Sequence, residues 1–106
     1  MPKYLAKGSY SADGLKGLMK EGAASRRAAV QQVVESLGGK LEAFYYAHGE
    51  TDVYVLLDVP DASAGLALSL AVNASGAVRL TTVPLITPEE VDVAAKRSVP
   101  YRPPGA

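Results

Sequence analysis

The fold is decided by residues 41–59, which read LEAFYYA, then HGET, then DVYVLLDV. Residues 41–47 and 52–59 are rich in aromatic and β-branched side chains, and the four residues between them have the composition of a turn. The pattern predicts two antiparallel strands joined as a hairpin. Alternation divides the second strand into two sets, Val53, Val55, Leu57 and Val59 on one face and Asp52, Tyr54, Leu56 and Asp58 on the other. We expect the first, apolar set to lie under helices.

A strand and a helical region precede this hairpin. Residues 3–10 predict a strand that ends at Ser11-Ala12-Asp13-Gly14, a cluster of residues that begin helices. Apolar spacing from Leu15 to Leu37 then predicts one kinked helix or two helices in series, because Glu21-Gly22 interrupts the pattern. Gly38-Gly39 ends the helical region.

A helix, a strand and a second helix follow the hairpin. Asp61 is the predicted N-cap of a helix over about residues 62–74, and residues 78–86 predict a fourth strand. Thr87-Pro88-Glu89-Glu90 then begins a short helix that runs to about Arg97. The proline-rich residues 99–106 predict an extended tail.

The resulting order is β-α-β-β-α-β, which predicts an α+β fold of the ferredoxin-like type. It is a four-stranded antiparallel sheet with helices on one face, an extra C-terminal helix and the extended tail. We expect one domain over residues 1–98 and the tail over 99–106. The second sheet face must then be solvated, or be covered by a ligand or by another chain.

That open face is predicted to carry Tyr54 and Leu56. The first strand adds residues in one of two registers, either Tyr4, Ala6, Gly8 and Tyr10 or Lys7 and Ser9. An exposed face that holds leucine and tyrosine is more often covered than bare.

The helix over residues 62–74 is apolar almost all round. We expect its sheet-facing stripe to be Leu66, Ala67, Leu70, Ala71 and Ala74, which leaves Leu68 and Val72 on other sides. The tail, folding back or crossing to a neighbouring molecule, is the nearest candidate to cover them.

Composition excludes several classes of function. Eleven Lys and Arg residues balance eleven Asp and Glu residues, so nothing predicts binding to nucleic acid or to an anionic membrane. The chain has no cysteine and one histidine, which argues against thiolate chemistry and against a multi-histidine metal site. We predict no metal and no cofactor. Without a secretory apolar region or a membrane span, we expect a cytoplasmic location.

Tyrosines are the main candidates for ligand contacts, because six of the seven aromatic residues are tyrosine. A phenol offers flat apolar area and one polar group, which suits a pocket or a subunit interface. Tyr10, Tyr46 and Tyr54 are the predicted ligand-binding residues. Alternation places Tyr45 and Tyr46 on opposite faces, so only one of them shares a cavity with Tyr54.

His48 and Asp52 are the candidates for catalysis, since an imidazole and a carboxylate near one turn can act as a base and its orienting group. The alternative is a solvated histidine and an Asp that only hydrogen-bonds the turn. Arg26 and Arg27 near a helix start are the elements of an anion site, with a solvated basic turn as the alternative.

Several segments, in order and spacing, resemble the bacterial GYD-domain family; they are 3–5, 8–10, 14–18, 35–41, 72–76 and 85–91. The family's Gly-Tyr-Asp element falls on Gly49-Glu50-Thr51-Asp52, where Thr51 occupies the tyrosine position. The resemblance implies a ferredoxin-like fold of the dimeric α/β-barrel kind, in which two sheets pair through their open faces. It implies no established activity.

Three functional hypotheses follow. The first is a homodimer or higher oligomer that binds a small organic molecule in a pocket on the open sheet face. The second, from fold analogy, is a cofactor-independent enzyme resembling monooxygenases or isomerases, with proton transfer by Tyr10, Tyr54, His48 or Asp52. The third is a structural or regulatory oligomerisation module.

Overall fold

The structure is a computed structural model that describes residues 1–106. It contains every predicted strand and helix: β1 Lys3–Tyr10, α1 Ala12–Glu21, α2 Ala23–Ser36, β2 Lys40–Tyr46, β3 Val53–Asp58, α3 Ala62–Ala74, β4 Val78–Leu85 and α4 Pro88–Ala95. The α+β class, the antiparallel sheet and the extra C-terminal helix are confirmed.

The four strands lie in the order β2-β3-β1-β4, and every neighbouring pair is antiparallel. This is the strand order of the ferredoxin-like fold, with β1 and β3 in the centre. Leu5 of β1 pairs with Leu56 of β3 and with Val83 of β4. Pro84 lies in the edge strand β4, where a missing N–H group is tolerated.

The core lies between the helices and one sheet face. Three of its seven buried side chains come from β3, and the others come from β1, α2, α3 and the residue after β3; the seven are Ala6, Val34, Val53, Val55, Leu57, Val59 and Leu68. The predicted division of β3 is therefore confirmed, with the valine and leucine set under the helices and Tyr54 and Leu56 on the open face.

The helical region is two helices in series, and Gly22 separates them. Its φ of 98° lies in the left-handed region that glycine adopts without steric cost. The Gly22 N–H group still donates to the Leu18 carbonyl, while its own carbonyl accepts from the Arg26 N–H group. Gly22 is thus both the end of α1 and the start of α2.

The predicted sheet-facing stripe of α3 is wrong. Leu66 is 60% exposed and Leu70 is 62% exposed, whereas Gly65 and Leu68 are buried. Because α3 is apolar on every side, its periodicity does not define the buried face. The buried face is defined instead by Gly65, which has no side chain. The Tyr4 ring packs against it, 3.3 Å from where a Cβ atom would stand.

The C-terminal residues 86–106, which follow β4, form an arm that leaves the body of the domain. Every residue of this arm is exposed, and α4 has no substantial contact with another helix or strand. The radius of gyration is 17.0 Å, against about 13 Å for a compact chain of this length. The domain boundary at residue 98 stays a prediction.

Gly14 fixes the start of α1 against the loop before β4. The Ser11 N–H group donates to the Ala77 carbonyl at 2.9 Å, and the Gly14 N–H group donates to the Ser11 hydroxyl at 3.0 Å. A Cβ atom at Gly14 would lie 2.2 Å from the Ala77 carbonyl oxygen, whereas one at Gly17 would meet nothing within 4 Å.

We therefore predict that Gly14→Ala lowers the free energy of unfolding by about 1–3 kcal/mol, because the backbone must move to admit the methyl group. Gly17→Ala is the matched control in the same helix. It should leave stability unchanged or raise it by up to about 1 kcal/mol. Urea denaturation of both variants measures the difference, and equal effects would contradict this account of Gly14.

Candidate functional site

The open sheet face carries an apolar band that crosses all four strands. Ala43 of β2 is opposite Leu56 of β3, which is opposite Leu5 of β1, which is opposite Val83 of β4. The last three side chains are half-buried although no helix covers them. We call these four residues the apolar band.

A polar row borders the apolar band on one side. Tyr45 of β2 is opposite Tyr54 of β3, which is opposite Lys7 of β1, which is opposite Thr81 of β4. Tyr45 is 71% exposed and Tyr54 is 39% exposed. Two phenols and one ammonium group therefore stand beside an apolar surface, a combination that has both the apolar area and the polar groups that ligand pockets use.

Tyr45, and not Tyr46, shares the open face with Tyr54. The sequence pattern leaves the choice between them open, and it is decided by a bulge between Leu41 and Ala43 that adds one residue to β2. One extra residue reverses which face each later side chain occupies. Tyr46 accordingly lies on the helix side, edge-to-face with Phe44 at 5.2 Å between ring centroids.

Tyr10 also lies on the helix side, where it packs against the core. The register of β1 places Tyr4, Ala6, Gly8 and Tyr10 under the helices, so Lys7 and Ser9 face the open side. Tyr10 neighbours Tyr46, whose hydroxyl donates to the Ala23 carbonyl at 3.1 Å. Burial, together with the nearby Tyr10 phenol, raises the pKa of Tyr46 above its usual value. The three predicted tyrosines thus do not meet in one pocket, and their ligand-binding role stays a prediction.

His48 and Asp52 occupy different environments. His48 is exposed in the loop between β2 and β3. The Asp52 carboxylate accepts the Tyr10 N–H group at 2.8 Å, while its backbone carbonyl accepts the Ala47 N–H group at 2.7 Å. Asp52 therefore joins the end of β1 to the hairpin. Its catalytic role, like that of His48, stays a prediction.

A polar cavity of about 270 Å³ lies at the edge of the open face near this loop. Lys7 and Arg79 line it from β1 and β4, and hydroxyl-bearing Ser9, Thr51 and Thr81 stand between them. The Ser9 hydroxyl donates to the Glu50 carbonyl at 2.8 Å, which ties the loop to the sheet. Thr51, at the tyrosine position of the Gly-Tyr-Asp element, therefore lies beside the open face.

Sequence reasoning missed a cluster of charges on the other side of the apolar band. The Lys3 ammonium group donates to Glu42 at 2.5 Å and to Asp58 at 3.0 Å. Asp58 is only 8% exposed. The hydrogen bond from Lys3 holds the pKa of Asp58 below its usual value, and the bonds to Glu42 and Asp58 raise the pKa of Lys3. Lys3 and Asp58 are paired in the strand register, which the sequence does not reveal.

No group of three or more histidine, aspartate or glutamate side chains is arranged to hold a metal ion. None of the helices combines the length and the apolar character that crossing a membrane requires.

The Asp58 ion pair predicts a specific dependence of stability on pH. A carboxyl group with a lowered folded-state pKa stabilises the fold above its unfolded-state pKa of about 3.9, and this contribution is lost as the pH falls through the folded-state value. Asp58→Asn should therefore destabilise the protein at pH 7 and lose less further stability than the wild type between about pH 5 and pH 2.

Asp92→Asn, at an exposed position of α4, is the control and should follow the wild-type curve. Urea denaturation across this pH range makes the comparison. Parallel curves for the wild type and Asp58→Asn would show that Lys3 does not act on Asp58 as described.

Comparison with known proteins identifies the family. Residues 4–95, which are most of the chain, match the family model described as the GYD domain. The match includes residues from both faces of the sheet. No curated protein and no solved structure gives a match. The matched segment runs from Tyr4, the second residue of β1, to Ala95, the last residue of α4. This chain belongs to the GYD-domain family.

Proposed function

We propose that this GYD-domain protein is a homo-oligomer, in its simplest form a dimer, that binds a small organic molecule between paired open sheet faces. The observation that carries the proposal is the apolar band, because its own chain leaves it uncovered. Ala43, Leu56, Leu5 and Val83 form one continuous row across the sheet. Contiguous apolar surface of this kind is typical of an interaction site.

Pairing two open faces gives the site its chemistry. The apolar bands of both copies supply the hydrophobic area, and the Tyr45–Tyr54–Lys7 rows supply polar groups at its border. A dimer with two-fold symmetry uses the same surface on both subunits, so one patch provides both sides of the pocket. The ligand that fits is small, flat or aliphatic, with a group that a phenol or an ammonium can hydrogen-bond.

The C-terminal arm supports self-association independently. An isolated helix of eight residues is marginal in water, yet α4 has no substantial contact with its own domain. Ile86, Val91, Val93, Val99 and Tyr101 are all more than half exposed along the arm. We propose that the arm packs on a second copy of the chain, where these side chains and the exposed Leu66 and Leu70 of α3 gain cover.

The catalytic alternative has less support from the geometry, because His48 and Asp52 do not share a site with the tyrosine row. The structural alternative requires an interface without a pocket.

Native mass spectrometry of the purified protein distinguishes the three functional hypotheses. A dimer or even oligomer with a stoichiometric additional mass supports the proposal, a monomer overturns it, and a ligand-free oligomer overturns its binding part in favour of a structural module.

We predict that Leu56→Glu raises the dissociation constant of the dimer at least about tenfold, since it places a charge in the apolar band. Met19→Glu is the matched control, because Met19 is an 81% exposed apolar residue on α1. It should leave the subunit count unchanged. Light scattering after size-exclusion chromatography, over a dilution series, measures both variants. If the Leu56→Glu and Met19→Glu variants associated equally, the interface would not include the apolar band.

We further predict that Tyr54→Ala keeps the oligomer but lowers occupancy by the co-purifying molecule, because Tyr54 borders the pocket without forming the apolar band. Met19→Ala removes an exposed apolar side chain from α1, away from the open face and the arm, and is the control. Native mass spectrometry reads subunit count and bound mass together. Full occupancy in Tyr54→Ala would exclude Tyr54 from the site.

A further inference from the structure

The helix side of the sheet contains a cleft between α2 and α3. Its inner part, about 60 Å³, has twelve lining residues, of which eleven are hydrophobic and the twelfth is Arg26. The outer part, about 420 Å³, opens between Val33 of α2 and Ala71 of α3, and Arg26 is again its one charged residue. Leu68 and Val72 line both parts, so the two are continuous.

Arg26 stands where this cleft meets a third cavity, of about 300 Å³, under α1. Arg26 is half-buried as a residue, and its side chain has no carboxylate within ion-pair distance, because both ion pairs of the chain belong to Lys3. Its neighbour Arg27 is exposed and lines neither part of the cleft. An unpaired cation beside apolar walls loses hydration without receiving a hydrogen-bonding partner in return.

A carboxylate is the group that best completes this arrangement. A guanidinium binds a carboxylate through two parallel hydrogen bonds, and the pair is strongest where water is excluded. The apolar walls at Phe44, Leu68 and Val72 would take up hydrocarbon. Asp13 and Glu21 line the adjoining cavity under α1. Because these carboxylates add negative charge near Arg26, a ligand with one negative charge fits better than a ligand with two.

We propose that the cleft between α2 and α3 binds an aliphatic monocarboxylate, with Arg26 holding the carboxylate and the hydrocarbon chain lying along Leu68 and Val72. The inner part, at about 60 Å³, is small beside the outer part. It therefore admits only the end of a chain, and the outer part holds the remainder. This site lies across the sheet from the apolar band and does not depend on the oligomer proposed above.

The test uses the full-length protein with octanoate as the probe. Calorimetry measures the affinity, and chemical-shift changes of methyl groups in NMR spectra locate the ligand. Changes at Leu68 and Val72 indicate binding in the cleft. Changes at Leu56 and Val83 indicate binding on the open face. We expect saturable shifts at Leu68 and Val72 alone. Octanol, which lacks the charge, should bind at least about tenfold more weakly than octanoate, a comparison that needs no variant.

Arg26→Gln should weaken octanoate binding at least about tenfold, because the carboxylate loses its bidentate partner. Arg27→Gln, the same charge change one residue along α2, should alter the affinity less than about twofold. Circular dichroism checks that both variants are folded.

Three outcomes would overturn the proposal. Shifts confined to Leu56 and Val83 would place the ligand on the open face, which supports the function proposed above and excludes the cleft. If Arg26→Gln and Arg27→Gln weakened octanoate binding equally, the effect would come from the net charge of the protein and not from a contact with Arg26. Absence of octanoate binding, together with a changed subunit count in Arg26→Gln, would show that a second copy of the chain occupies the cleft.

Discussion

The alternation of β1 and β3 controls the rest of this structure, since these central strands give the sheet two faces with different chemistry. On the helix side β1 contributes the small residues Ala6 and Gly8, and a Cβ atom at Gly8 would lie 2.9 Å from Val53. The valines and leucine of β3 can therefore pack under the helices. On the other side the same strands present Leu5, Lys7, Tyr54 and Leu56, for which the chain provides no cover. A single sheet thus has one face fixed by folding and one available for association.

The elements of the fold could be predicted because local signals agree with one another. Each predicted helix start coincides with a side chain that accepts from the first turn, at Ser11, Asp61 and Thr87. Strand alternation in β3 gave the buried face correctly because only one of its two sets is wholly apolar. Where a segment lacks that contrast the prediction fails, as α3 shows: Leu66 and Leu68 are equally apolar, and only packing against Tyr4 at Gly65 decides between them.

The candidate site could be predicted only in part, because it depends on register and register is a property of paired strands. Tyr54 was placed correctly from its own strand. The pattern left open whether Tyr45 or Tyr46 shares a face with Tyr54, because the bulge at the start of β2 decides it. It also left the face of Tyr10 open, because two registers of β1 fit the pattern equally well. The Lys3 cluster has the same origin: Lys3, Glu42 and Asp58 belong to three different strands and are brought together only by pairing.

Small size connects the uncovered face with the arm. Only 11 of the 106 residues are buried within one chain, and fully buried apolar side chains supply most of the stability of a domain. Apolar area that the helices leave uncovered includes three surfaces: the apolar band, the outer side of α3 and the arm. Because the arm leaves the domain, covering it within one molecule would require α4 to turn back, whereas a second copy covers it without rearrangement. Association of that kind would add stability by mass action, so the oligomer that we propose would cover the apolar band and the arm together.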